Sequence, residues 1–329
     1  MEVYIMNTNT NQLQKTTSSI SVSMEKKPST TIWKKISRNY VLYLFLLPAL
    51  VYLIIFDYWP MYGIQISFKD FSAINGIWNS PWVGFKHFTT FFQSYRFWTL
   101  MKNTLVLSGY QLIAGFPIPI ILAIILNYST MKKISKFAQT ATYAPHFIST
   151  VVMVGMLILF LSPSNGVINK LLSYINLGPY FFMGEESYFK HIYVWSGIWQ
   201  NAGWNSIIYI AVLTNVSPEL HEAAVVDGAS KLKRIWHIDI PALLPTAIIL
   251  LIMQLGRIMN IGFEKVLLMQ NNLNLNTAEV ISTYTYKVGL LNAQYSYSTA
   301  IGLFNNIINF TLLIIVNKIA RRISDTSLW

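Results

Sequence analysis

The sequence predicts an all-α polytopic membrane protein: six transmembrane helices and a cytoplasmic polar loop. Three observations lead there. Of 329 residues, 53% are hydrophobic and only 11% charged, whereas soluble globular domains carry about 25% charged residues. Several apolar runs reach the ~20 residues that a helix needs to cross a bilayer. The formal net charge is +11, and the basic residues cluster beside those runs. In a soluble protein that excess would point to nucleic acid; here membrane topology accounts for it, and no nucleic-acid partner is expected. Cysteine is absent, which removes disulfides, thiolate metal ligands and thiol nucleophiles and leaves the redox compartment open.

Residues 1–39 form a polar tail rich in Ser, Thr and Asn, with Lys15, Lys26, Lys27, Lys34, Lys35 and Arg38. Such a composition predicts a disordered start and a short basic stretch at the membrane surface. The first apolar run begins late, near Tyr40, and no small-residue cleavage pattern follows it. An uncleaved first span is therefore expected instead of a signal peptide. Residues 40–329 make the membrane domain, with spans predicted at about 40–56, 104–126, 137–161, 191–216, 242–259 and 298–319. Pro117, Pro119, Pro145, Asn201, Asn205, Gln254, Asn305 and Asn306 fall within or beside these runs. A lipid-facing helix avoids such residues, so their faces are expected to turn toward other helices or an aqueous path.

Orientation follows from Lys and Arg density. The tail, the second and fourth connections and the C-terminus together hold fifteen; the other three connections are longer and hold nine. The denser side is expected to be cytoplasmic, with both termini inside. The external connections are long and aromatic. Trp59, Tyr62, Trp78, Trp82 and Phe85 suit either the docking of a binding protein or an interfacial aromatic belt. No internal repeat supports an inverted-repeat transporter.

One hydrophilic island, residues 217–245, reads SPELHEAAVVDGASKLKRIWHIDIPALLP. Ser217 is a good N-cap and Pro218 suits the first helical position, where its missing N–H costs nothing. Glu219 and Glu222 lie in the first turns, where carboxylates interact favourably with the helix dipole. Leu220, Ala223 and Ala224 share one small apolar face. Gly228 fits a left-handed C-cap, Ser230 can cap a second short helix, and Pro241 is expected to stop that helix. The island thus reads as two short helices hinged at a glycine. By the charge count it lies inside.

These residues carry a resemblance. Glu222-Ala223-Ala224, Asp227-Gly228-Ala229 and Ile238-Asp239-Ile240-Pro241, with Gly228 six residues after Glu222 and Pro241 thirteen after Gly228, resemble the EAA loop of ABC importer permeases. From about Asn39 onward the chain is similar to the branch that takes up polysaccharides or complex oligosaccharides. LFLLPALVYLIIFDYWPMYGIQISFKDF, SPWVGFKHFTTFF, FPIPIILAIILN, QTATYAPHFIST, IWQNAGWNSIIYIA and the closing TSLW carry that likeness. GFEKVLLM matches sugar permeases more broadly, but Met269-Gln270-Asn271-Asn272 stands where they have a Thr-Gly-Gly-Pro-like turn.

The resemblance implies a type I importer in a bacterial cell membrane, surrounded by lipid. A second permease of different sequence, two ATP-binding subunits and an extracellular solute-binding protein would complete it. It also implies that Glu222, Ala223, Ala224, Asp227, Gly228, Ala229 and Pro241 form the coupling element, with Glu222 facing the ATPase groove. Asp227 would either hold the turn or touch the partner.

For an oligosaccharide cargo, Trp199, Asn201, Trp204 and Asn205 on the fourth span, with Gln254 and Asn305 on later ones, are the candidate path. Aromatic platforms suit sugar C–H faces and amides suit hydroxyls; helix–helix glue is the other use of such amides. Arg257, near the end of the fifth span, suits either an acidic sugar or snorkelling. No Gly-x-x-x-x-Gly-Lys-Ser/Thr stretch occurs, so the chain is expected to be no enzyme and to bind no cofactor. ATP and Mg would be used by the partner subunits. His87, His146, His191, His221 and His237 show no metal-ligand spacing.

Overall fold

Within hydrocarbon, backbone N–H and C=O groups must pair inside their own segment, so the apolar runs fold as helices. The computed structural model, which describes residues 39–323, is helical almost throughout. Among the described residues the one isolated β-bridge joins Lys69 to Trp82. The basic residues Lys15 to Arg38 and the closing TSLW lie outside the described residues.

In chain order the main helices are α1 (Tyr40–Phe68), α2 (Phe97–Asn127), α3 (Lys133–Phe147), α4 (Thr150–Phe160), α5 (Glu186–Thr214), α6 (Pro218–Val226), α7 (Lys231–Leu255), α8 (Phe263–Met269) and α9 (Tyr295–Arg322). By length and apolarity α1, α2, α7 and α9 can each cross a membrane; α3 with α4 adds a fifth, bent by 99°. The bend has local causes. Pro145 sits in a 3-10 turn at the end of α3, and the Ser149 hydroxyl accepts from the Val152 N–H to start α4 afresh.

The sixth expected span is α5. Its 29 residues extend about 44 Å at 1.5 Å per residue, enough to cross. Its Gln, Asn and Ser content keeps it short of the apolarity of the others. Protein instead of lipid surrounds much of it: Phe189, Tyr193, Val194, Ile198, Tyr209 and Leu213 are buried. Its most extensive partner is the Pro117–Asn127 half of α2. Gly203 lies directly on the Thr142 backbone of α3, where any Cβ would overlap the carbonyl.

The described chain divides into two compact units, one ending at Tyr62 and the other beginning at Gly63. In the second unit three cores hold the helices. Leu107, Val154, Val194, Val266 and Val280 belong to the largest. Phe91, Leu100, Met259, Ile281 and Ile301 form another, and Ala123, Tyr209, Leu213, Leu243 and Ala247 form the third.

One expectation about the island is corrected. Pro241 does not end a short helix: the chain runs from Lys231 to Leu255 as a single 25-residue helix. A π-turn over Ile235–Asp239 precedes Ile240, and Pro241 falls in the first positions of the regular α segment that follows. A proline lacks only its own N–H, and at that point no α-helical bond is required of it.

The expected external loops contain structure of their own. Lys86–Gln93, Val167–Ser173 and Ile281–Tyr286 are helical. Polar staples tie them down: Glu279 pairs with Arg96 at 2.7 Å and Lys287 at 2.9 Å. Asn103 donates to the backbone carbonyls of Asn276 and Glu279. In place of a Thr-Gly-Gly-Pro-like turn, amides shape the segment after α8. Asn271 and Asn274 both donate to the Met183 carbonyl, at 2.6 and 3.0 Å, and Gln270 donates to that of Ala278.

Candidate functional site

The island builds a helix that the rest of the described chain leaves largely exposed. Ser217 occupies the N-cap position of α6 as expected, but its hydroxyl makes no capping bond. At the other end the geometry is a full Schellman cap. Gly228 takes φ +74°, its N–H donates to Val225 O at 3.0 Å, and the Ala229 N–H donates to Ala224 O at 2.8 Å. These bonds pair carbonyls that the helix end would otherwise leave free. The Ser230 hydroxyl then accepts from the Lys233 N–H at 3.4 Å, starting α7. The reversal at Gly228 therefore swings the chain straight from α6 into the fifth membrane helix.

No residue of α6 is buried. Leu220, Val225 and Val226 are exposed, Val226 at 87%, and Glu222 and Asp227 also face outward. One side chain turns the other way. His221 lies with Nε2 3.4 Å from Oδ1 of Asp239, an ion-pair distance without hydrogen-bond geometry. Asp239 is fully buried, and its Oδ2 accepts from the Tyr128 hydroxyl at 2.6 Å. Burial, reinforced by that carboxylate, pushes the Tyr128 hydroxyl up to about 12, so it stays a donor. The Arg234 guanidinium stands 5.7 Å from the centre of the Tyr128 ring. Tyr128 closes α2, so this cluster ties α6, the start of α7 and the end of α2 into one piece.

A second feature lies between the helices. A cavity of about 450 Å³ is lined by Gln111, Asn205, Gln254, Arg257 and Asn260, among others. Two of the expected path residues, Asn205 and Gln254, thus meet on one wall. They also line, with Trp204, an adjoining cavity of about 250 Å³. Gln111 and Tyr193 continue the first cavity into another of about 380 Å³, which Asn201 and Lys265 line.

The remaining candidates do different work. Trp199 faces an apolar groove with Met153, Phe160 and Trp195, away from the polar cavities. At 100° per residue it cannot share a face with Asn205. Asn201 lines a cavity but spends both ends on structure: its Oδ1 lies 3.0 Å from Nδ1 of His146, and its Nδ2 donates to Gly197 O. His146 in turn stacks on Trp204 at 4.5 Å. Asn305 is buried one step behind the wall, where its Nδ2 donates to Oδ1 of Asn260 at 2.6 Å. Trp199 and Asn305 do not line this polar cavity, whereas Gln111, Arg257 and Asn260 do. Gln111 meets the rule that singles out the other amides, a carboxamide inside an apolar run.

Lys265, in the connection after the fifth helix, is nearly buried. Its Nζ donates to Tyr193 O at 2.7 Å and lies 4.7 Å from the Tyr193 ring centre. Burial pulls its ammonium down to about 7. The other histidines are held by local bonds: His87 to Lys69 O, His191 to the Tyr110 hydroxyl and His237 to Lys233 O.

A helical membrane bundle with a polar cavity between its helices, and an exposed helix hinged to a spanning helix, fits a membrane transporter subunit. The chain belongs to the family described as binding-protein-dependent transport system inner membrane component, whose model matches residues 115–325. These are the multi-pass permeases of ABC importers.

Among its relatives, Protein LplB of Bacillus subtilis is 40% identical over 294 residues, covering 89% of this chain and 92% of that one. The polygalacturonan/rhamnogalacturonan transport system permease protein YteP, from the same organism, is 38% identical over 94% of this chain and 96% of its own length. A crystal structure of a bacterial alginate ABC transporter in complex with an alginate pentasaccharide-bound periplasmic protein contains a chain of the same fold. Its TM-score is 0.85 at 42% identity, covering 90% of this chain and 99% of that chain.

Proposed function

We propose that this permease carries oligosaccharides or polysaccharide fragments inward, and that α6 is the lever through which partner ATPases drive it. The observation that carries the reading is the exposure of α6. A capped helix bares Leu220, Val225, Val226 and Glu222 while Asp239 and Gly228 fix it to α7 and α2. Apolar side chains ringed by a carboxylate suit a groove on another polypeptide. ATP binding by two such subunits, using Mg, would move α6 and with it the bundle. A second permease of different sequence would supply the other half of the path. An extracellular solute-binding protein would deliver the cargo; relatives named for pectin-type and alginate transport support a glycan cargo. Both termini and α6 would face the cytoplasm.

Glu222→Ala removes the charged contact of the lever. Losing one side of a buried charged pair costs roughly 2–5 kcal/mol. The variant should therefore insert normally but lose cargo-stimulated ATP hydrolysis and uptake in the reconstituted complex. Unchanged stimulation and uptake would reject α6 as the lever.

A further inference from the structure

We propose that Arg257 is a carboxylate-reading residue of the cavity and that the glycan passed through it is acidic. This rests on the reading of the chain as a glycan permease and adds the charge class of the cargo.

Glu279 holds Arg96 and Lys287, Asp70 holds Lys86, and Asp239 holds His221. Among the described residues no ion pair reaches Arg257. The residues lining its cavity include no Asp or Glu. Arg257 lies just past Gly256, the C-cap of α7, and its side chain lines the cavity and is exposed, not packed away. A snorkelling arginine runs its stem along apolar surface to reach the interface. This one instead shares a wall with the amides of Gln111, Asn205, Gln254 and Asn260. A cation within the bundle of a membrane protein is costly unless solvated or paired, and marks a pathway when it faces one.

The second cation nearby cannot take this role. Lys265 is committed to the Tyr193 carbonyl and ring, and Glu264 lines its cavity, so an entering carboxylate would meet a like charge there. Among the cations lining these two cavities, Arg257 is the uncommitted one. Its planar fork matches a carboxylate through two parallel hydrogen bonds, while the neighbouring amides can donate to or accept from sugar hydroxyls. A uronate unit carries both groups within one ring, and about 450 Å³ falls within the range of small-molecule sites.

The test uses the complete transporter, this chain with its permease partner and ATP-binding subunits, purified without a binding protein so that only the membrane path selects. Binding is measured for trigalacturonate and for its fully methyl-esterified form, which differ in charge and not in sugar. The wild-type complex should prefer the acid by at least tenfold. Arg257→Gln should weaken binding of the acid at least tenfold and leave the ester unchanged. Arg257→Lys, which keeps the charge, should retain a measurable part of the preference.

Equal binding of acid and ester by the wild type, or no change for the acid in Arg257→Gln, overturns the carboxylate role while leaving the glycan reading standing. Equal weakening of both probes overturns it too, in favour of an arginine that pairs with the partner permease. A wild-type complex that binds neither probe overturns the glycan reading and this proposal together.

Discussion

Gly203 sets how closely α3 and α5 approach. Its Cα lies on the Thr142 backbone, with no room for a methyl group. Gly155, in α4, has open space around it. Gly203→Ala should therefore lower the melting temperature of the solubilised complex by an amount corresponding to about 1–3 kcal/mol of overpacking. Gly155→Ala should be neutral or slightly stabilising, since alanine is the better helix former by about 1 kcal/mol. A comparable loss in both variants would show that helix propensity, not the contact with Thr142, decides the outcome. Gly228 matters for a different reason: at φ +74° any other side chain pays left-handed strain of about 1–2 kcal/mol.

At the scale of elements, the junction of α6, α7 and α2 is held by one buried carboxylate. Asp239 accepts from Tyr128 and attracts His221, so under the proposed coupling a push on α6 would pass to two spanning helices instead of dissipating in a loose loop. Breaking a buried charged contact costs about 3–5 kcal/mol. Asp239→Ala leaves the Tyr128 hydroxyl without its acceptor and frees α6. Limited proteolysis should cut within residues 217–241 markedly faster in that variant, while the assembled complex still forms. Cleavage at the wild-type rate would show that the Schellman cap alone fixes the helix.

For the molecule as a whole, the proposed orientation has a direct check, because the chain contains no cysteine. In intact cells Asp227→Cys should stay unlabelled by a membrane-impermeant maleimide until the membrane is opened. Leu273→Cys, exposed in the segment after α8, should label from outside at once. Labelling of Asp227→Cys from outside would put α6 beyond the reach of any cytoplasmic ATPase. α5 and α7 line the cavity through Asn205 and Gln254, and α7 is also continuous with the junction at Asp239.

How far the sequence reached depended on the range of the interactions involved. The helices followed from apolar runs. The reversal at Gly228 followed from a local backbone requirement; Pro218 and Ser230 stand at the helix starts where their chemistry put them, while Ser217 holds its N-cap position without a capping bond. Where a neighbour in space decides, the linear pattern was silent. Pro241 is absorbed by a π-turn, and Trp199 and Asn205 lie on different faces of α5. Asn201 is claimed by His146, and Asn305 holds Asn260 from behind. The class of protein and the hinge are legible in the residue order alone, because hydrophobicity, capping and left-handed backbone are properties of a residue and its immediate neighbours. Which polar side chains share a cavity and which serve as ties emerges from packing, because it depends on helix rotation and on partners more than a hundred residues away, as for Asn103 and Glu279.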